Sequence, residues 1–292
     1  MKLTKFLFAA IITSALFSCS KDDAGSGSGT VTVAAQTMTN VAYGVDPLQK
    51  MDIYLPANRS TATTKVIILI HGGGWISGDK ADITSSDIDT LKRRIPDYAI
   101  ININYRLAAL PAINTFPTQE LDVKTAVDFI YANRSTYLIS DKFVILGGSA
   151  GGHLALLQAY KYQSPVKIKA VIDFYGPTDM VDMYNNPGAY PQASIALLLN
   201  GTPITNPTLY QQSSPLTYAT AVNACPTIIL QGDLDVLVNA TRQSRALQTK
   251  LTTAGVVNTY VQYPLLGHGP WDVATSTDAF NKIQVFLAAN VQ

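Results

Sequence analysis

The residues best suited to covalent chemistry lie in Gly147-Gly148-Ser149-Ala150-Gly151, a G-x-S-x-G pattern. The apolar run Phe143-Val144-Ile145-Leu146 leads in and the helix-forming run His153-Leu154-Ala155-Leu156-Leu157 leads out. A serine between a strand end and a helix start sits on a sharp, strained turn that exposes its hydroxyl. Side chains two positions to either side would collide, so Gly147 and Gly151 are physical requirements of the turn. Ser149 is the candidate nucleophile. The motif alone also describes a glycine-rich turn that happens to hold a serine, so the partners matter.

A serine hydroxyl is a weak nucleophile at neutral pH and needs a base within hydrogen-bond reach. The chain has three histidines, His71, His153 and His268. His268 lies between Gly267 and Gly269 after the last apolar strand run and is the favoured base. His153 is tied to the helix after Ser149 and reads as structural. His71 precedes Gly72-Gly73-Gly74-Trp75 and reads as a brace for that loop. The base needs a carboxylate to orient it and to stabilise the imidazolium. Asp235 is favoured. Asp233, directly after Gly232, reads as a turn residue, and Asp179 as a helix cap. Acyl transfer passes through an oxyanion that requires preplaced donors. The amide of Ala150 at a helix start and those of Gly73 and Gly74 are the candidates. Trp75 is a candidate wall of the substrate pocket or a contact for a covering segment.

The elements that must position these residues follow from apolar periodicity. Residues 50–55 (KMDIYL) alternate and meet Pro56, a half-exposed strand. Residues 66–70 (VIILI), 99–104 (AIININ), 142–146, 169–175, 227–231 (TIILQ) and 256–263 read as further strands, several of them continuous apolar runs. Helical spacing marks residues 82–94, 117–133 with Thr118 as N-cap, 239–252 and 274–290. Strands alternating with helices predict an α/β fold, a mostly parallel sheet wound on both faces. Such sheets bind ligands outside the carboxyl ends of their strands, where His71, Ser149, Asp235 and His268 all fall. Residues 176–218, rich in Pro, Asn and Tyr, interrupt the rhythm and are read as an inserted cap.

Composition narrows the class. At 292 residues and 47% hydrophobic, the chain can bury a large α/β core. Its net charge is +1 and its one basic cluster, Lys92-Arg93-Arg94, is a solvated helix end before Pro96, so no nucleic-acid partner is expected. No Cys/His cluster has metal-ligand spacing, and neither metal nor organic cofactor is expected. Lys2 and Lys5 precede an apolar run, residues 6–17, too short to span a bilayer as a helix. That layout is a secretory signal peptide. Leu16-Phe17-Ser18-Cys19 resembles a bacterial lipobox, which implies cleavage before Cys19 and lipidation of that cysteine. Ser20-Lys21-Asp22-Asp23 resembles the acidic export tags of Bacteroidetes lipoproteins. Together they imply an exported outer-membrane lipoprotein, surface-exposed, with the lipid anchor as its only membrane attachment. The expected organisation is a signal peptide over 1–18, a flexible tether over 19–35 and one domain over 36–292. Cys225 is then unpaired and reads as a buried inert thiol.

These residues resemble those of α/β-hydrolase carboxylesterases of the HGGGW and GGSAGG type. The likeness runs from about Tyr43 to Ala288. It includes Gln49 to Pro56, Asn104-Tyr105-Arg106-Leu107, the stretch around Ser149, Ser214-Pro215-Leu216 and the block from Gly232 to Val238. Similar proteins include acetyl-xylan and feruloyl esterase-like enzymes and kynurenine formamidase-like hydrolases. The resemblance implies an α/β-hydrolase fold with a small cap and the catalytic set Ser149, Asp235 and His268. It places the oxyanion donors at Gly73, Gly74 and Ala150. The chain departs from hormone-sensitive-lipase relatives, which carry Asp where it has Gly148 and add a long N-terminal helical cap. The function expected is hydrolysis of short acyl or carbohydrate-linked esters, on a small molecule or a polysaccharide. The alternatives are an amidase, formamidase or peptidase with the same residues, and a non-catalytic surface-binding lipoprotein.

Overall fold

Eight strands build one sheet in the order β1-β2-β4-β3-β5-β6-β7-β8. They are β1 (Gln36–Ala42), β2 (Lys50–Leu55), β3 (Lys65–Ile70), β4 (Tyr98–Ile103), β5 (Phe143–Gly148), β6 (Ala170–Phe174), β7 (Thr227–Gly232) and β8 (Asn258–Tyr263). The structure, a computed structural model, describes residues 32–292. The expected signal peptide, Cys19 and most of the expected tether lie outside the described residues. The folded unit begins at Val33, slightly ahead of the expected start. The Val33 carbonyl accepts the Asn58 amide at 2.7 Å, and the Ala34 carbonyl accepts from the Arg59 guanidinium at 2.5 Å.

The antiparallel pairs β1–β2 and β2–β4 form one side of the sheet. All pairs from β4 through β3 to β8 are parallel. The inner parallel strands β3 to β7 are largely apolar because both faces are covered, whereas the edge strand β8 (NTYVQY) is only partly buried. Val66, Ile68 and Ile70 of β3 enter the core on one face, and Ile67 and Leu69 enter the core on the other. Each is at most 1% exposed, and burying such a side chain contributes roughly 1.5–3 kcal/mol. The helices Thr118–Ala132 and Ala150–Lys161 pack into the first core, and Ser85–Arg94 and Val273–Asn290 into the second.

Strand β1 is not visible as a pattern in the sequence. Its residues, QTMTNVA, sit at a sheet edge and are mostly exposed, so no apolar face selects their register. Thr118 is not the N-cap of its helix. Pro117 holds that place, its carbonyl accepting the Leu121 amide at 2.9 Å, and Thr118 is the first helical residue. Residues 176–218 form four short helices, Met180–Asn185, Gln192–Leu198, Pro207–Gln212 and Pro215–Tyr218. Two of them start on proline, whose missing N–H costs nothing at a first helical position. Met180, Met183, Ile195, Leu198 and Tyr210 anchor this segment in the first core.

Candidate active site

Five parallel-strand ends deliver the site. Each of β3, β5, β6, β7 and β8 runs directly into a loop that carries site residues. Ser149 follows β5 and has φ 55° and ψ −121°, a conformation a non-glycine residue holds only under local constraint. Its amide donates to the Phe174 carbonyl at 2.8 Å and its carbonyl accepts the His153 amide at 3.0 Å. A Cβ on Gly147 would stand 2.2 Å from the Gly151 backbone, so the turn closes only with glycine there. The helix Ala150–Lys161 begins at the next residue, so its positive N-terminal end lies at Ser149.

The loop after β3 is tied through its carbonyls. Gly72 O accepts the Tyr105 hydroxyl at 2.9 Å and the His71 Nδ1–H at 2.8 Å. Gly73 O accepts the amides of Ile76 and Ser77 and the Ser77 hydroxyl. Gly74 O accepts the Tyr190 hydroxyl, from the 176–218 segment, at 3.0 Å. Gly73 has φ 97°, and a Cβ there would lie 2.1 Å from Ser77 O. Among the described residues, the amides of Gly73, Gly74 and Ala150 make no hydrogen bond. Gly73 and Gly74 line the same cleft as Ser149, and Ala150 follows it in the chain, so three unspent donors are available near the serine, as stabilising an oxyanion would require.

The expected base and acid meet. His268 Nδ1–H donates to Asp235 Oδ2 at 2.7 Å, which leaves Nε2 as the proton acceptor. Asp235 is built to stay ionised. Its Oδ1 accepts the amides of Leu237 at 2.9 Å and Val238 at 2.8 Å, and its Oδ2 also accepts Gln231 Nε2–H at 2.9 Å. Burial alone would raise its pKa, but the hydrogen bond and charge of His268 and the Val238 and Gln231 donors outweigh burial. The carboxyl stays below its ordinary range. Tyr175 packs its ring on the imidazole, with centroids 4.5 Å apart. Ser149 and His268 border one cleft of about 370 Å³ with Gly73, Gly74, Met183 and Tyr190. No direct hydrogen bond joins the two; such contacts often tighten only around a substrate.

The other candidates fall elsewhere. His153 is buried, with Nδ1 accepting Trp75 Nε1–H at 3.1 Å and Nε2–H donating to the Ser213 carbonyl at 2.7 Å. Burial lowers its pKa to about 4, so it stays neutral. His71 stacks on Tyr105 at 4.3 Å. Asp179 caps the helix Met180–Asn185. Asp233 forms no hydrogen bond or ion pair with a histidine; its amide bonds the Tyr263 carbonyl and its Oδ1 has no hydrogen-bond partner. Trp75 borders the cleft, but at 1% exposed it acts as a brace between His153 and Tyr190 rather than an open wall. Cys225 is a buried free thiol, its pKa pushed by burial up to about 12.

Three supporting residues escaped the sequence reading. Gln231 orients Asp235 and is itself held by the Ser244 hydroxyl at 2.7 Å. Tyr190 ties the 176–218 segment to the glycine loop, and Tyr175 backs His268. The only signal was position: Gln231 and Tyr175 stand at strand ends.

The BD-FAE family model matches residues 51–251. The match includes the glycine loop, Ser149 and Asp235 and stops short of His268. The esterases LipC and LipQ of Mycobacterium tuberculosis are each 27% identical, over 78% and 83% of this chain. The chain spans 59% of the length of each. A truncated carbohydrate esterase from gut microbiota superposes with TM-score 0.74 at 26% identity, covering 88% of this chain and 96% of that one. A bifunctional GH43-CE protein of Bacteroides eggerthii superposes with TM-score 0.73 at 28% identity, covering 87% of this chain and 38% of that one. Esterase B of Lactobacillus rhamnosis, at 22% identity and TM-score 0.68, shares the fold. A family match across most of the domain, on a sheet wound as in these neighbours, makes the chain a member of BD-FAE, within the α/β-hydrolase esterases.

Proposed function

We propose that this chain is a serine esterase that cleaves carboxylic esters through an acyl-enzyme on Ser149. Ser149 Oγ attacks the ester carbonyl carbon while His268 Nε2 takes its proton. The carbonyl oxygen becomes an oxyanion held by the amides of Gly73, Gly74 and Ala150. The bond to the alcohol oxygen then breaks, and His268 returns the proton to that oxygen. Water repeats the sequence on the acyl carbon and frees Ser149. Asp235 keeps the imidazole in the tautomer with Nε2 free and balances its charge. Removing one oxyanion donor from such a site costs about 2.7–4 kcal/mol of barrier.

The observation that carries this reading is the convergence in one cleft of a strained serine, three unspent amides and a histidine held on a buried carboxylate. The substrates are short acyl or carbohydrate-linked esters, a reading supported by the likeness to carbohydrate esterases. Lys2, Lys5 and the apolar run 6–17 ahead of Cys19 support the reading of an exported protein attached to the bacterial outer membrane by a lipid anchor. Ser149→Ala tests the mechanism. The variant is expected to keep its fold and lose hydrolysis of acetyl esters by at least about a thousandfold. Unchanged turnover would sink it.

A further inference from the structure

Tyr175 follows β6 with φ 44°, a left-handed conformation that a bulky residue holds only under constraint. Its amide is fixed on the Leu230 carbonyl at 2.9 Å, and Asp173 Oδ1 holds the next amide, that of Gly176, at 2.9 Å. Its ring rests on His268 at 4.5 Å and on Trp271 at 5.3 Å. Backbone and ring are both placed, and the group left unused is the hydroxyl. Among the described residues this hydroxyl makes no hydrogen bond, and it is not sealed from solvent as the unpaired hydroxyls of Tyr98 and Tyr260 are.

Two glycines locate it. A Cβ on Gly269 would lie 2.4 Å from the Tyr175 hydroxyl oxygen, and a Cβ on Gly148 would lie 3.7 Å from it. Gly148 precedes Ser149, Gly269 follows His268, and both border the catalytic cleft together with Tyr175. The hydroxyl therefore stands on the cleft, between the nucleophile turn and the loop of the base. Neither glycine has a positive φ, so backbone conformation demands glycine at neither position. Gly269 is explained by the hydroxyl itself, which any side chain there would strike. At Gly148 a Cβ would meet nothing closer than Tyr175 Cε2 at 3.6 Å, so glycine keeps the space beside the hydroxyl open.

Two substrate oxygens gain charge in ester cleavage. The carbonyl oxygen has the amides of Gly73, Gly74 and Ala150. The alcohol oxygen must come within reach of His268 Nε2 to take its proton, and Tyr175 is packed on that imidazole. Burial, with the nearby carboxylates of Asp235 and Asp173, pushes the phenol pKa up to about 12, so at neutral pH the group keeps its proton and can donate. We propose that the Tyr175 hydroxyl is a fourth hydrogen-bond donor of the reaction, given to the alcohol oxygen as its bond to the acyl carbon breaks. No proton leaves the phenol: the electron pair of the broken bond stays on the alcohol oxygen, and His268 Nε2–H supplies the proton. The hydrogen bond strengthens as charge builds on that oxygen, so it counts most where the departing alkoxide is most basic. The role rests on the esterase reading above.

The test is Tyr175→Phe, which keeps the ring on His268 and removes only the hydroxyl. It is read as kcat/KM on ethyl, trifluoroethyl and p-nitrophenyl acetates, which share an acyl group and differ in the basicity of the leaving oxygen. The variant is expected to lose about tenfold on ethyl acetate, less on trifluoroethyl acetate and under about twofold on p-nitrophenyl acetate. An equal loss on all three would reduce Tyr175 to packing behind His268 and overturn the proposal, as would no loss on any. A second variant keeps the hydroxyl: a ring-fluorinated tyrosine at position 175, a stronger donor, should raise kcat/KM on ethyl acetate relative to p-nitrophenyl acetate. A ratio that stays level or falls overturns the role. A wild type that hydrolyses none of the three esters refutes the esterase reading and the donor with it. Hydrolysis of all three with a uniform response to both variants refutes the donor alone.

Discussion

Asp235→Asn separates an orienting carboxylate from a merely buried one. Four donors converge on this side chain: two backbone amides on Oδ1, and Gln231 Nε2–H and His268 Nδ1–H on Oδ2. An amide offers one oxygen. The Leu237 and Val238 amides belong to the backbone and hold that oxygen at the Oδ1 position. The new NH₂ then faces two donors. His268 can relieve this only by moving its proton to Nε2, the atom that must receive the Ser149 proton. A wrong-tautomer histidine lowers kcat by about ten thousandfold in a serine triad, or about 5.4 kcal/mol of barrier. The assay is kcat and KM on p-nitrophenyl acetate at neutral pH, with near-ultraviolet circular dichroism as the check on folding. The same carboxyl carries a stability signature. Its folded pKa is depressed, so its contribution is present above the ordinary carboxylate range and disappears as pH falls through the folded value. The Asn variant should therefore unfold more easily at neutral pH and converge with the wild type in acid. Asp233→Asn is the control and should stay within about twofold, because its carboxylate makes no hydrogen bond or ion pair with a histidine. A folded Asp235→Asn enzyme that keeps more than about a tenth of wild-type kcat would refute the orienting role.

Three further outcomes follow from the packing around the site. Tyr190→Phe removes the hydroxyl on Gly74 O; a net loss near 1 kcal/mol should lower kcat about fivefold on ethyl acetate, and an unaltered kcat would detach the 176–218 segment from the oxyanion loop. Trp75→Phe strands the buried Nδ1 of His153. It should destabilise the fold by about 1–3 kcal/mol in urea titrations with ester selectivity unchanged; a changed selectivity would return Trp75 to the pocket wall. Asp173 is fully buried, with Oδ1 on the Gly176 amide and Oδ2 unpartnered, and burial raises its pKa to about 8. The unfolded chain ionises this group near its ordinary value while the folded chain keeps the proton. Stability should therefore fall as pH rises from about 4 toward 8, by about 1.4 kcal/mol per pH unit from this group. Asp173→Asn should flatten that slope in urea midpoints measured at pH 5 and pH 7, and an identical slope would exclude Asp173 as its source.

Seven of the eight strands were legible: the inner ones are short apolar runs ending at a turn signal, β2 shows polar and apolar alternation before Pro56, and β8 closes the run of strand and helix alternation. β1 was not, since an exposed edge strand needs no apolar face. That His268 would pair with Asp235 and share a cleft with Ser149 was expected from strand ends, because a parallel sheet sends every carboxyl end to one side. What stayed hidden depends on tertiary approach. Gln231 looks like the polar end of a strand until its amide is seen on Asp235. Leu121 fits the apolar face of its helix by spacing yet is 46% exposed. The helices of 176–218 are short, two of them begin on proline, and they lack a sustained period, so the segment was visible and its shape was not. Tyr175 and Tyr190 act through ring stacking and a hydroxyl reaching a distant loop, and no local pattern encodes either.

The measurement that bears most directly on the mechanism is the site of covalent capture. Incubation with a fluorophosphonate, which reacts with an activated serine, followed by peptide mass mapping should give one adduct, on Ser149. Ser149→Ala should give none, and Asp235→Asn should label far more slowly. An adduct on another residue, or a folded protein that hydrolyses esters without labelling at Ser149, would contradict the acyl-enzyme.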